Sequence, residues 1–559
     1  HTILVDAGTY YEHVTISKSI SLIGENRSTT IIDGGGTGTL VYVTANNTII
    51  SGFTIQNSGD YFPCSGIHLY RSSNSNITNN ILSKNLCGIL LQFSANNSLV
   101  NNNVTNNANG ILLEYRSSNN TLVGNTVSNN GFGISFSSCS NNSLAGNSVS
   151  DNEDYGIQIV ASSNFVLSDN HMVTNKYDFM VGGSAAEDFD HSIDTSNLVD
   201  GKPIYYVKGV SDMVYDSSTH AGIFYAINCH NITIKDLAFT NNGYGTFLWN
   251  TNNSKIQNNI ATNNREDGIC LHRSSNNTLI ENAVSNNGEH GISLHDSSNN
   301  SLVGNTALNN KFGILLIKSS NNSLVGNNIT NIQHGIFLGL SSNNNISGNN
   351  ITNNMYGITL GSSSENLICH NNITANKLCG IWLERSSGNS IYHNNFINKN
   401  QVYDTSWDYP YIPNSINTWD DGYPSGGNYW SDYAIRYPGA QELDGSGIWD
   451  TPYFIDENNQ DNYPLMEPWS PKPPSPQEAL EELIQTVESW NLDKGIETSL
   501  TSKLQAAYRS LDSENQKASL GQLTAFINEL QALRDKKLTN EQADELISEA
   551  QRIIDLIEG

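Results

Sequence analysis

The chain has 559 residues, more than one domain usually holds, and only 14% are charged, against roughly 25% in ordinary globular proteins; Asn, Ser and Gly fill the gap. A formal net charge of −27 excludes an electrostatic nucleic-acid partner, which needs clustered Lys and Arg. No apolar run of about 18 residues occurs, so no transmembrane segment is expected, and a start at His1 reads as a removed signal segment or a fragment.

The first strand pattern, HTILVDAGTYYEHVTI, opens without a covering element. Such an end presents unpaired strand groups, a template for another chain. The expectation is a trimmed cap or a second copy of the chain, in a closed oligomer or a head-to-tail fibre. From there the chain repeats. Gly-Ile pairs fall at Gly66, Gly88, Gly110, Gly133, Gly156, Gly222, Gly268, Gly291, Gly313, Gly335, Gly357 and Gly380, with Gly245-Thr in the same series. Neighbours are 22 or 23 residues apart, except for 66 between Gly156 and Gly222. A fixed period near 22 marks a solenoid. Apolar residues alternate over three to five positions and then break at Ser-Asn-Asn, which is short-strand patterning. The unit GILLIKSSNNSLVGNNITNIQH (313–334) holds three short strands, Gly-Ile-Leu-Leu, Ser-Leu-Val and Asn-Ile-Thr. It reads as one coil of a parallel β-helix, the fold assigned to residues 1–402. About 17 coils, spaced about 4.8 Å, would make a rod of roughly 80 Å. Residues 179–221 keep the length of two coils but lose the pattern, which predicts irregular coils that bulge from the rod.

A second column, Asn102, Asn125, Asn147, Asn170, Asn282, Asn305, Asn327, Asn349, Asn371 and Asn394, precedes the third strand. Stacked amides there would hydrogen-bond along the rod and tolerate the left-handed backbone of a sharp corner. The many Asn-X-Ser/Thr triplets, among them those at Asn26, Asn76, Asn103, Asn231, Asn328 and Asn372, would be glycan acceptors on a secreted protein. The repeat itself also generates them, and an inward Asn carries no sugar. Seven cysteines leave at least one unpaired within the chain. Cys64 and Cys87, just before Gly66 and Gly88 on adjacent coils, are placed to form a disulfide, and the other cysteines read as column fillers.

Acids, bases and histidines concentrate in REDGICLHRSSNNTLIENAVSNNGEHGISLHD (265–296). Folded at a period of 23, Glu266 stacks on Glu289, Asp267 on His290, His272 on His295 and Arg273 on Asp296. Strand alternation turns Ile269 and Leu271 inward and Cys270, His272, Ser293 and His295 outward, beside Phe247 and Trp249. Three readings remain open. The first is a solvated polar ladder. The second is a glycan- or partner-binding strip of His272, Arg273, His295, Asp296 and Trp249. The third is catalysis by Glu266, Asp267, Glu289 and His290, with two carboxylates about 5 Å apart as in retaining glycoside hydrolases. No paired Asp-Asp motif supports the third, so an enzyme is not the leading expectation.

Residues 403–470 are rich in Trp and Asp and read as a cap on the C-terminal end of the rod. Within them ELDGSGIWD (442–450) is a degenerate calcium loop, with Glu442, Asp444, Ser446 and Asp450 as oxygen ligands; its first acid is Glu and no Glu follows at the twelfth position. PKPPSP (471–476) is a stiff linker. Residues 477–559 switch to helical spacing. Ser475-Pro-Gln-Glu478 and Thr539-Asn-Glu-Gln542 read as N-terminal caps, and four short amphipathic helices read as a small bundle.

Three segments, GKPIYYVKGVSD (201–212), WDDGYPSGGNYWSDY (419–433) and GIWDTPYFID (447–456), carry a resemblance over about residues 1–470. The chain resembles the right-handed parallel β-helix proteins of the NosD-like, carbohydrate-binding and sugar-hydrolysis group. The resemblance implies a secreted or cell-surface protein. Some relatives of this fold bind or cleave polysaccharides on their outer faces, usually behind an N-terminal capping helix, and the founding family helps mature a copper enzyme. NLDKGIETSLTSKLQAA, LTAFINEL and ADELISEAQRII resemble the FIMAH domain, an accessory interaction bundle. Copper itself is not expected from the residues. Met is scarce, neither C-x-x-C nor H-x-H occurs, and His272 with His295 is the stacked pair weighed for such a site. The expectation is therefore an extracellular structural or adhesive scaffold, self-associating into filaments or a surface layer. The alternatives are a protein that binds or degrades extracellular polysaccharide around 265–296, and a copper-handling accessory protein.

Overall fold

The computed structural model describes residues 1–409, 411–470, 475–490, 492–513 and 515–558. It divides into two compact units, residues 1–469 and 470–559. The Pro471–Pro474 part of the linker lies outside the described residues.

The first unit is a β-solenoid of about 18 turns, built in two stretches. In the first stretch three parallel sheets run from Thr2–Val5 to Ser192–Ile193, from Gly8–Tyr10 to Leu198–Val199, and from Val14–Ile16 to Tyr177–Gly182. In the second they run from Lys202–Lys208 to Val402–Asp404, from Val214–Tyr215 to Ser390–Tyr392, and from Ala238–Thr240 to Tyr429–Trp430. Equivalent residues of successive coils pair in register, as Ile77 with Leu99 and Ile314 with Ile336. One apolar side chain per short strand therefore repeats along the interior.

Two sequence columns owe their identity to coil-to-coil contact. A Cβ at Gly291 would lie 2.6 Å from the carbonyl oxygen of Gly313, so the Gly-Ile column is steric: the next coil passes too close for any side chain. The Asn-Asn doublets divide two tasks between them. The first residue takes the left-handed backbone, as Asn101 (φ 54°) and Asn258 (φ 53°) do, and glycine replaces it at Gly304, Gly326 and Gly348. The second is buried and supplies the amide ladder. Asn305 Nδ2 donates to Asn327 Oδ1 and to the Leu279 carbonyl, both at 3.0 Å, while its Oδ1 accepts from the backbone and side chain of Asn282. Left-handed backbone and amide stacking, expected of one column, thus belong to neighbouring ones. Pairing nearly all of its buried amide atoms is what allows so polar an interior, since an orphaned group costs about 1–3 kcal/mol; Asn242 Oδ1 and Asn417 Nδ2 are among the exceptions.

Residues 179–221 are not a bulge on a continuous rod. The chain makes a short 3-10 turn at Ala186–Phe189 and reverses at Asp200-Gly201. Leu198 and Val199 then pair antiparallel with Pro203 and Lys202, and this reversal starts the second stretch. Its first strands are buried on both faces. Phe224, Ala226, Leu248, Ile269 and Leu271 fill the second interior. Tyr225, Phe247, Trp249 and Cys270, which alternation turns outward, join the apolar cluster of the first stretch. Phe189 packs 4.9 Å from Phe247 and 4.5 Å from Trp249, and the Tyr206 hydroxyl donates to the Phe189 carbonyl.

Residues 403–469 lie over the last coil. Trp419 and Trp430 are buried, and Trp430 stacks on Phe396 and Tyr453 at 4.5 and 4.2 Å. The short helix α1 (Tyr433–Arg436) belongs to this segment. Asp461 is buried and accepts hydrogen bonds from Asn428 N and Trp430 Nε1; burial pushes its pKa up to about 7.

The second unit holds helices α2 (Pro476–Ser489), α3 (Lys494–Asp512), α4 (Gln516–Leu533) and α5 (Asn540–Glu558). Each packs on the next and α2 also packs on α5. Ser475 and Glu478 cap α2 reciprocally, and Thr539 and Gln542 cap α5 in the same way. Leu480, Leu504, Phe526 and Ile553 lie in its core.

Candidate functional site

Two places on one outward sheet face, running from Lys202–Lys208 to Val402–Asp404, concentrate chemistry. The first is the 265–296 cluster. Its predicted register holds: His272 pairs with His295, and Cys270 with Ser293. Its predicted exposure does not. Trp249 and Cys270 are 1% and 3% exposed, because the end of the first stretch covers them, so Trp249 is no ligand platform. Asp267 is also buried. Its Oδ1 lies 2.6 Å from His290 Nδ1, and its Oδ2 accepts from the Ser293 hydroxyl at 2.6 Å. Burial alone would raise the Asp267 pKa, but the His290 hydrogen bond and charge outweigh it and hold the carboxyl below its ordinary value. Burial, reinforced by Asp267, pushes the Cys270 thiol well up. Burial pushes His272 down to about 4 and also lowers His295. His272 stacks between Trp249 and His295, at 4.4 and 5.7 Å, and its Nδ1 is buried with no hydrogen-bond partner.

The expected carboxylate pair is not free. Glu289 is bound by Lys311 at 2.7 Å. Glu266 is half-buried and receives the Tyr155 hydroxyl at 3.4 Å; burial first, then Asp267, raises its pKa. The Arg273 guanidinium lies 5.0 Å from the centre of the Trp249 ring, while Asp296 is exposed. Among the described residues, one group of three or more His, Cys, Asp or Glu side chains brings its ligand atoms within 4.8 Å of each other: Asp267, Cys270 and His295. The 442–450 loop forms no such group. Glu442 accepts from Gly447 N, Asp444 from the Tyr423 hydroxyl and Asp450 from Gln441 N.

The second place is an open cleft of about 600 Å³ near the C-terminal end of the same sheet, lined by Tyr356, Trp382, Tyr403, Trp407 and Tyr409 with Asn400 and Thr405. An aromatic column leads into it from the cluster, through His290, Phe312, His334, Tyr356 and Trp382, with ring centres 4.7–5.2 Å apart. Trp382 Nε1 donates to Thr405 Oγ1 at 2.8 Å, which fixes the indole plane. A smaller polar pocket of about 230 Å³ adjoins it, with Lys399, Gln401, Asp432 and Arg436. The sequence reading placed Trp407 and Asp432 in the C-terminal cap and grouped none of these residues into a cleft. The signal was present, because a ring stands immediately before Gly-Ile in KFGI, QHGI and MYGI.

The remaining predicted positions lie apart. Cys64 and Cys87 are free thiols. The register sets Cys87 opposite Ser65, one residue past Cys64. Asn26, Asn231, Asn328 and Asn372 are exposed, whereas Asn76 and Asn103 are half-buried in the ladder.

The sequence matches the family model described as "Periplasmic copper-binding protein (NosD)" over residues 2–205, 210–338 and 330–435. No curated protein matches it. Among solved structures, the mannuronan C-5 epimerase AlgE6 A-module of Azotobacter vinelandii is similar at 13% identity and TM-score 0.28, covering 75% of this chain and 89% of that one. The periplasmic alginate epimerase AlgG is similar at 14% and 0.28, covering 72% and 85%. The catalytic domain of a GH87 alpha-1,3-glucanase is similar at 12% and 0.20, covering 75% and 63%. Copper, named by the family model, takes sulfur and nitrogen donors. Cys270 and His295 supply one of each, with the Asp267 carboxylate as a third donor, so these residues fit such an ion.

Proposed function

Because the chain belongs to the NosD family, we propose that it is a periplasmic or secreted β-helix rod that binds a neutral polysaccharide in the cleft between Tyr356 and Tyr409. The observation that supports this reading most is the aromatic wall of that cleft. Flat rings present apolar faces to the C–H faces of sugar rings, while Asn400, Thr405 and the adjoining Lys399 and Arg436 offer polar partners at the rim. The volume falls within the range of small-ligand sites, about 300–1,000 Å³. Neutrality follows from charge, since a chain at −27 repels a polyanion. A stiff rod with a glycan cleft is also an adhesive element, so the surface-scaffold role expected from the sequence is compatible with this one. No helix among the described residues is long and apolar enough to cross a membrane.

The test is titration calorimetry against neutral glucans and mannans beside acidic alginate and polygalacturonate. Neutral glycan binding is expected to weaken roughly tenfold in Trp382→Ala, the equivalent of about 1.4 kcal/mol. Glu266→Gln is expected to bind normally. Absence of neutral glycan binding, or affinity unchanged in both Trp382→Ala and Trp407→Ala, would overturn the reading.

A further inference from the structure

The 267–295 cluster lies outside the cleft proposed for the glycan, and its buried polar groups are closely held. Three side chains of different chemistry, a carboxylate, a thiol and an imidazole, bring their donor atoms within 4.8 Å of each other. They come from two adjacent coils, and the strand pairing of 269–272 with 292–295 holds them in fixed register. Asp267 and Cys270 are both more than nine-tenths buried. His295 is half-buried and, with His290, forms the solvent side of the cluster. Buried carboxylates are rare unless paired, and Asp267 is held by two partners that fix its orientation, His290 and Ser293. A histidine and a serine bonded to a ligating carboxylate are what a metal centre uses to aim its ligands.

We propose that Asp267, Cys270 and His295 bind one divalent first-row transition ion, zinc or copper. The donor set selects this class. One thiolate sulfur, one imidazole nitrogen and one carboxylate oxygen suit zinc or copper, whereas calcium and magnesium require six or more oxygens. Three protein ligands would leave a four-coordinate ion one further position for water or another donor. Loading replaces a proton: the Cys270 S–H bond breaks, the sulfur–metal bond forms and the proton leaves to solvent, with no change of oxidation state when the ion is zinc. The ion would also clamp the start of the second solenoid stretch, because Cys270 packs in the apolar cluster that the first stretch shares with it.

The experiment uses the full chain stripped with a chelator. Zinc, copper and calcium are titrated in separate arms, and cobalt reports thiolate ligation by its sulfur-to-metal absorption band. One equivalent of zinc or copper is expected to bind and raise the melting temperature, with calcium inert; the zinc and copper arms decide between the two ions. Cys270→Ser is expected to abolish the cobalt band and His295→Gln to weaken zinc affinity at least tenfold. Should either variant misfold, X-ray absorption of the zinc-loaded wild-type chain tests the same point: one sulfur with nitrogen and oxygen neighbours supports the site. A shell without sulfur, a cobalt band that survives in a folded Cys270→Ser, or no stoichiometric binding overturns it.

Discussion

Cys270 and Trp382 occupy the same outward column of one sheet, linked by register through Ser293, Leu315, Phe337 and Thr359. They stand five coils apart, roughly 24 Å at the usual spacing, and their surroundings are opposite. Cys270 lies under the end of the first solenoid stretch, among ionisable groups that satisfy one another. Trp382 is half-buried, packed against Tyr356 in the wall of an open cleft. An outward position on a solenoid is therefore only an offer of surface, and what covers it decides whether it binds, stabilises or coordinates. The two ends should fail in different ways.

The sharpest separation comes from Asp267→Ala. Removing it takes the acceptor from both His290 and Ser293, and a hydrogen bond to a charged carboxylate is worth about 1.5–3 kcal/mol, so the pair together should cost about 3–5 kcal/mol. Chemical denaturation should show that loss while glycan affinity at the cleft stays unchanged. A matching loss of affinity would mean the two ends are coupled along the aromatic column, and the comparison would have to be redrawn.

The next effect concerns the ladder that holds both ends in register. Asn305→Ala removes four hydrogen bonds inside the solenoid and should cost about 3 kcal/mol, since several buried partners lose their match. Asn328→Ala, on the solvent side of the next coil, should change stability by less than about 0.5 kcal/mol. Equal costs would sink the division of labour between buried and exposed asparagines.

That division shows how much the sequence disclosed. The 22–23 residue period, the strand triplet per coil and the pairing of His272 with His295 were all legible, because a solenoid repeats its local rules and register follows from counting. The junction was not legible. Residues 183–203 carry no periodic signal, and their effect is long-range: by turning the chain back they bury Trp249 and Cys270, which strand alternation alone assigns to solvent. The metal-type donor set was missed for the same reason. Cys270 was placed on the face of His272 and His295, but a cysteine without a C-x-x-C partner looked like a filler until the coil above supplied its neighbours. The cleft was missed because its rings sit at coil starts and beyond the last repeat, where no motif groups them.

Acid separates the ends more weakly. Burial holds His68, His191, His272 and His334 down at about 4. Between the ordinary histidine value near 6.5 and about 4, the unfolded chain binds these protons and the folded chain does not, so stability falls as pH drops through that window. Asp178 and Asp461, pushed up to about 7 by burial, act in the opposite direction: the fold keeps their protons, and that stability is lost as pH rises from about 4 to 7. Four histidines outweigh two carboxyls, so the melting temperature should decrease from pH 6.5 to 4. A flat or rising profile would place those histidines in contact with water.

A further small effect tests the edge of the covered region. The Arg273 guanidinium lies 5.0 Å from the centre of the Trp249 ring, with its side chain at the surface. An exposed cation–π contact is worth about 0.5–1 kcal/mol, so Arg273→Gln should lower stability by about that much and leave metal and glycan binding unchanged. Because Trp249 is itself held by Phe189 and His272, the ring should not move, and its fluorescence maximum should stay at the short wavelength of a buried indole. A shift to longer wavelength would show that Arg273, rather than the end of the first stretch, seals the junction. The contrast between a closed and an open end would then rest on one surface side chain.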